Sequence, residues 1–155
     1  MSQGNDRVEL RLPSKLRYLA VVDAVVQSFA SEMSLDPDDV NNISTAAIEA
    51  ASNAIEHANK FDVSKTVVFR IHGSGNIVDV EIDDQGPGFD PKPYERELGP
   101  EDLLKLRGRG IFIMRSFMDE VRFSRLAAGG MRVHLRKIGK NTMDETGQKN
   151  VARGN

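Results

Sequence analysis

Glu49, Asn53 and His57 stand four residues apart, and on an α-helix spacings of four and eight advance by about 40° and about 80° around the axis, so the three share one face. Asn53 offers a neutral amide oxygen suited to magnesium, an ion that keeps several waters and takes one or two protein ligands beside phosphate oxygens. Glu49, one turn earlier, is placed to take a proton from an attacking hydroxyl or water, a job for a carboxylate within hydrogen-bond reach. A solvated polar helix face, with His57 near its end, accounts for the same spacing.

The second stretch is Asp84-Gln85-Gly86-Pro87-Gly88-Phe89, which comes after the alternating run Val78, Val80, Ile82. Its two glycines allow positive φ or close approach of a flat base. A carboxylate at Asp84 would accept from the 6-amino group of adenine, whereas guanine would set an acceptor against it. Leaving such a group unpaired costs about 1–3 kcal/mol, enough to favour ATP over GTP. A surface turn rich in Asp and Gly is the alternative for this loop taken alone.

The third stretch, Leu106-Arg107-Gly108-Arg109-Gly110-Ile111-Phe112-Ile113-Met114, sets two glycines before an apolar helix expected from about Gly110 to Met118. Backbone N–H groups and a helix dipole can cradle phosphates there. Lys105, Arg107 and Arg109 can add positive charge, although a solvated face explains them equally well. Ile113 stands where a Rossmann fingerprint needs its third glycine, and no GxxxxGK[ST] occurs in the chain.

The elements that must position these groups can be read from pattern. Asp36-Pro37-Asp38-Asp39 supplies an N-cap, a proline in the first turn and dipole-compatible acids for a helix to about Asn59. Ile43, Ala46, Ala47, Ala50, Ala51, Ala54, Ile55 and Ala58 give that helix a small-residue stripe for close packing on a sheet. An earlier helix, Lys15 to about Met33, has the stripe Leu16, Leu19, Val22, Val26, Phe29, Met33, expected to face mainly the core with some end residues left for contact. Strands are expected at Val8 to Leu12, Lys65 to Ile71, Asn76 to Asp83, Glu120 to Arg125 and Met131 to Lys137, with turns at Gly73-Ser74-Gly75 and Gly129-Gly130. The resulting fold class is α+β, a two-layer sandwich with helices on one face of a mixed, mainly antiparallel sheet. One domain over 8–138 is expected, with residues 1–7 and 139–155 as disordered tails.

The order and separation of the three stretches resemble the GHKL ATPases. Glu49 to Ala58 (EAASNAIEHA) is similar to their N box, Asp84 to Phe89 to the G1 box and Gly108 to Ile111 to the G2 box. The run Gly108 to Val121, GRGIFIMRSFMDEV, resembles the bacterial anti-sigma factor serine kinases within that superfamily. The resemblance implies the Bergerat ATP-binding fold, with Glu49 as general base, Asn53 as Mg2+ ligand and Asp84 as adenine contact. It implies ATP-binding loops at Gly86, Gly88, Gly108 and Gly110, with His57 and Arg109 beside them, and a mobile lid from Asp90 to Leu106. It further implies a homodimer that holds a sigma factor and phosphorylates a serine of a STAS-domain anti-anti-sigma partner. One departure is visible: many relatives have Gly-Thr before the last strand, where this chain has Gly130-Met131.

Composition narrows the alternatives. A net charge of −2 gives no broad attraction to nucleic acid or to an anionic membrane. With no cysteine and only His57, His72 and His134 as imidazoles, thiol nucleophiles, disulfides and cysteine-bound zinc are excluded. No cationic start leads into an apolar run, so a cytoplasmic protein is expected. Three other readings compete with the kinase: a non-catalytic module whose nucleotide sets partner affinity, a histidine-kinase-like ATPase domain acting in trans, and a gyrase- or chaperone-type ATPase that would need further domains.

Overall fold

The computed structural model describes residues 6–140; of the tails expected at 1–7 and 139–155, residues 1–5 and 141–155 lie outside the described residues. Five strands, β1 (Arg7–Pro13), β2 (Thr66–Ser74), β3 (Ile77–Asp83), β4 (Glu120–Arg125) and β5 (Met131–Ile138), form one sheet in the order β1-β2-β3-β5-β4. All four pairings are antiparallel, so among the described strands the sheet has no parallel component and the expected mixed character narrows to purely antiparallel. The reason lies in the connections: β2 to β3 is a tight hairpin, and β4 to β5 is another.

Alternation decides the two faces of the sheet. Val67, Phe69 and Ile71 of β2, Val78, Val80 and Ile82 of β3, and Leu135 of β5 are buried beneath the helices. The intervening residues make the opposite face an ion-pair ladder. Asp83 is held by Arg70 at 2.7 Å and by Arg132 at 2.7 and 2.9 Å. Asp79 meets Arg136 at 2.8 and 3.0 Å and His134 at 2.7 Å. Burial works to raise both carboxyls, but hydrogen bonds and charge from these bases outweigh it and hold both below the usual carboxylate range.

Helices α1 (Leu19–Glu32), α2 (Pro37–Asn53) and α3 (Leu106–Phe117) cover the apolar face, with α2 packed between the other two. Asp36 caps α2 as its sequence suggests, accepting from Asp38 N–H at 2.9 Å. Ala46, Ala47, Ala50 and Ala51 are buried, which brings the α2 backbone close to the sheet. The expected single helix to Asn59 changes character at Ala54–Ala58, a π-turn in which Asn59 N–H bonds Ala54 C=O at 2.9 Å. In α1, Val22, Val26 and Ala30 form the buried line, while Leu16 lies outside the helix in a 3₁₀ turn (Leu16–Tyr18) and is 42% exposed.

Two boundaries differ from the sequence expectation for packing reasons. The hairpin turn lies at Gly75-Asn76, one step beyond Gly73, because Gly73 belongs to β2 and lies against the Met33 thioether, with no room for a side chain. β1 begins at Arg7, one residue before the expected start, and just past the end of β5 Gly139 N–H bonds Asn76 C=O at 2.7 Å.

Candidate functional site

At the end of β3, alternation turns consecutive acids in opposite directions. Asp83 enters the ion-pair ladder, and Asp84 turns inward to 9% exposure. Asp84 Oδ1 accepts from Gly86 N–H at 3.0 Å and Met131 N–H at 3.1 Å, and its own N–H donates to Met131 C=O at 3.0 Å. Burial raises the Asp84 carboxyl above its ordinary range against these two backbone donors, which work to lower it.

Gly130 makes this arrangement possible. Its φ is +93°, and a Cβ there would run into the Asp84 carbonyl, so only glycine lets β5 deliver the Met131 N–H to the carboxylate. The departure from Gly-Thr thus leaves the backbone contact intact. It places a buried thioether beside Gly88.

A small cavity of about 30 Å3 joins the two halves of the site. Asn53, Ala50, Ala54 and Ala58 reach it from the α2 side, Asp84 and Phe89 from the first glycine loop, and Arg107 and Ile111 from α3. Gly86 approaches the Ala58 backbone, and Gly88 sits at φ +76° beside Met131. Gly110 packs directly on the α2 face: a methyl group there would come within 2.7 Å of Asn53 Nδ2 and 2.8 Å of Glu49 Oε1. Glu49, Asn53, Asp84, Gly86, Gly88 and Gly110 therefore come together around this cavity, whereas Gly108 packs on Asp102. His57 and the exposed Arg109 do not line the cavity. Within the π-turn it is Ala54 and Ala58 that face the cavity, and His57 lies off that line.

The phosphate-cradle expectation meets a correction. Helix α3 begins at Leu106 rather than Gly110, and Arg109 N–H already bonds Lys105 C=O at 3.0 Å. Gly110 lies within the helical bonding, whereas Gly108, at the third helical position and ahead of the Arg109–Lys105 bond, has no intrahelical acceptor for its N–H. Burial of Ile111 and Met114 overrides the low helix propensity of the glycines.

Two positioning residues, Asn59 and Asp102, escaped the sequence reading, and Arg107, expected there as added phosphate charge, stacks on an aromatic ring instead. Asn59 is fully buried; its Oδ1 accepts from Gln85 N–H at 2.8 Å while Nδ2 donates to Ser14 Oγ at 3.0 Å and Thr66 C=O at 3.4 Å. It ties the end of the π-turn to the first glycine loop. Asp102 organises the lid, receiving Arg96 at 3.0 and 2.9 Å and Gly99 N–H at 2.8 Å. Arg107 lies over the Phe89 ring, with Cζ 4.0 Å from its centroid. The Asp36 cap was visible in local pattern, whereas the partners of Asn59 lie far away along the chain and leave no local signal.

The site tolerates magnesium in the way expected of a phosphate-bound ion. No group of three or more His, Cys, Asp or Glu among the described residues could hold a metal by itself. A half-buried amide and a half-buried carboxylate one turn apart suit an ion that takes its remaining ligands from water and phosphate.

Residues 12–137 match the family described as the histidine kinase-like ATPase domain. The chain belongs to that family. Among curated relatives, the serine-protein kinase RsbW of Bacillus licheniformis is 31% identical over 128 residues, covering 79% of this chain and 80% of the relative. The RsbW of Bacillus subtilis is 30% identical over the same length and coverage. Among solved structures, the RsbU and RsbW domains of a Mycobacterium tuberculosis protein align with a TM-score of 0.62 at 19% identity. That alignment covers 85% of this chain, which spans 31% of the longer one. The SiaB–SiaC complex of Pseudomonas aeruginosa contains a similar fold, with a TM-score of 0.60 at 14% identity over 84% of this chain and 87% of that one. Both likenesses bear on the fold, and both agree with the GHKL-type sandwich that the three boxes imply. No helix among the described residues is long and apolar enough to cross a membrane.

Proposed function

We propose that this protein is an ATP-dependent serine/threonine protein kinase that phosphorylates a STAS-type anti-anti-sigma protein and, when released from it, sequesters a sigma factor. The observation that carries the reading is that Asn53 and Asp84, far apart in the chain, line one cavity with Glu49 at its edge. The RsbW relatives, named serine-protein kinases, support the choice of reaction.

In this mechanism Asp84 Oδ1 is committed to two backbone donors, and Oδ2 accepts the 6-amino group of adenine. Glu49 takes the proton of the substrate serine hydroxyl as its oxygen bonds the γ-phosphorus and the bond to ADP breaks. Magnesium, held by the Asn53 amide oxygen and phosphate oxygens, would neutralise charge on the transferring group. Gly108 presents its backbone N–H to the phosphates, joined by Gly110 once the first turn of α3 opens, and the lid held by Asp102 closes over them. We assign the protein to the cytoplasm, as a homodimer with no direct contact to nucleic acid or membrane.

The test is incubation of the full chain with labelled ATP, magnesium and the STAS protein encoded beside its gene. Label on serine, abolished by Glu49→Ala while ATP binding survives, is the expected result; absence of transfer to any cognate STAS protein overturns the kinase assignment. Met131 favours a second reading, a module that binds nucleotide without turnover, because a thioether cannot hydrogen-bond as a threonine hydroxyl can. Partner binding that depends on nucleotide and is unchanged by Glu49→Gln would select it.

A further inference from the structure

The cavity shared by Asn53 and Asp84 measures about 30 Å3, an order of magnitude below the ~300–1,000 Å3 of pockets that hold small molecules. The chain itself fills the space a base would need. Arg107 lines this cavity with Asp84, Asn53 and Phe89. Its guanidinium lies over the Phe89 ring, Cζ to centroid 4.0 Å. That ring is fixed edge-on by Tyr94 and Phe123, at centroid separations of 6.0 and 5.3 Å.

A guanidinium and an adenine ring make the same offer to such a site. Each is flat and delocalised, suited to stacking on an aromatic face, and each carries N–H donors on its edge. The guanidinium adds a full positive charge, which acts on the Asp84 carboxylate and favours its ionised form against burial and the Asp83 charge. In place of a base, the pocket thus holds a guanidinium that stacks on the aromatic face and stands beside Asp84 without an ion pair to it.

We propose that Arg107 is a built-in competitor for the nucleobase, stacking on Phe89 and screening Asp84 until adenine displaces it. The proposal rests on the reading of this cavity as a nucleotide site and says how entry to it is controlled. Arg107 also belongs to the first turn of α3, where Arg109 N–H is bonded to Lys105 C=O at 3.0 Å. Arg107 thus links the base pocket to the start of α3, and its displacement acts at the turn that carries Gly108 and Gly110. The Phe89 stack sets the strength of the block, because the nucleotide binds only the fraction of molecules in which Arg107 has left.

The test is calorimetric titration of the full chain with adenosine, Mg-ADP and Mg-ATP, in the wild type, Arg107→Ala and Arg107→Gln. Removing a cation–π stack of this kind is expected to tighten all three ligands about 2- to 30-fold in Arg107→Ala, with Arg107→Gln, flat but uncharged, between the two. Adenosine isolates the base pocket because it has no phosphates. Unchanged or weaker adenosine binding in Arg107→Ala overturns the proposal. Weaker ATP binding with unchanged adenosine binding also overturns it, and assigns Arg107 to the phosphates. If neither the wild type nor the variants take up any of the three ligands, the nucleotide reading itself fails, and the competitor role fails with it.

Discussion

Replacing Asp84 by asparagine changes the chemistry of one atom and almost nothing of its shape. In the wild type Oδ1 accepts from Gly86 and Met131 N–H groups at 3.0 and 3.1 Å, contacts that only an oxygen can make. The asparagine oxygen must take that place, which sends its NH2 to the position of Oδ2. A donor then faces the 6-amino donor of adenine. The loss is one hydrogen bond to a charged acceptor, about 1.5–3 kcal/mol, or about a 10- to 150-fold weaker dissociation constant for ATP. A 6-oxo base presents an acceptor instead, so GTP and ITP should lose little or gain. Stability without nucleotide should move the other way. The folded Asp84 carboxyl lies above its ordinary range, so ionising it costs folding free energy; the cost is absent below the unfolded carboxylate range and grows as pH rises through the folded value. Asp84→Asn should therefore be more stable than the wild type at about pH 7–8 and no more stable near about pH 4. Calorimetric titration with the three nucleotides and urea unfolding at the two pH values check both halves. Unchanged ATP affinity, or a variant less stable at neutral pH, would refute the argument.

Other perturbations probe the scaffold. Gly130→Ala places a Cβ against the Asp84 carbonyl at φ +93°, so a loss of about 1–3 kcal/mol and weakened ATP binding should appear together in urea unfolding and calorimetry. Asn59→Ala leaves the buried Gln85 N–H without its acceptor and should cost about 1–3 kcal/mol, and Asn59→Asp, which keeps that acceptor but buries a carboxylate facing the Thr66 carbonyl, should cost at least as much in urea unfolding at neutral pH. Asp79 and Asp83 are both held below the usual range; their contribution is fully present above the unfolded carboxylate value and falls away as pH drops through the lower folded values. The urea midpoint should thus decline below about pH 4, and more shallowly in Asp83→Asn, which no longer has that carboxylate to protonate.

Local pattern carried the parts of this fold that local chemistry decides. The Asp36 cap, the alanine stripe of α2 and the alternation of Val78, Val80 and Ile82 each express a constraint within one element, and each stands in the structure as its residues suggest. The inward turn of Asp84 belongs to the same class, because strand alternation fixes it relative to Asp83. Register is different. The Arg70–Asp83–Arg132 and Asp79–His134–Arg136 ladders depend on which rungs of β2, β3 and β5 meet, and no single strand contains that information. Asn59 likewise reads as one more polar residue at a helix end until Ser14 and Gln85 are brought to it by the fold.

The start of α3 shows a third kind of limit, and it bears on function. Two glycines within three residues predict open backbone by propensity, where Gly costs about 1 kcal/mol relative to Ala in a helix. Burial of Ile111 and Met114 offsets that cost, each such side chain contributing about 1.5–3 kcal/mol, and the helix extends back to Leu106. The two burials exceed the two glycine costs by about 1–4 kcal/mol, so the first turn is held helical by a small margin. A ligand that binds the open form better by only a few kcal/mol will move it. The glycine motif thus specifies a segment that can switch, and the Arg107 stack on Phe89 specifies which form it holds. The same low helix propensity that misplaces the boundary in a sequence reading is what makes the boundary movable.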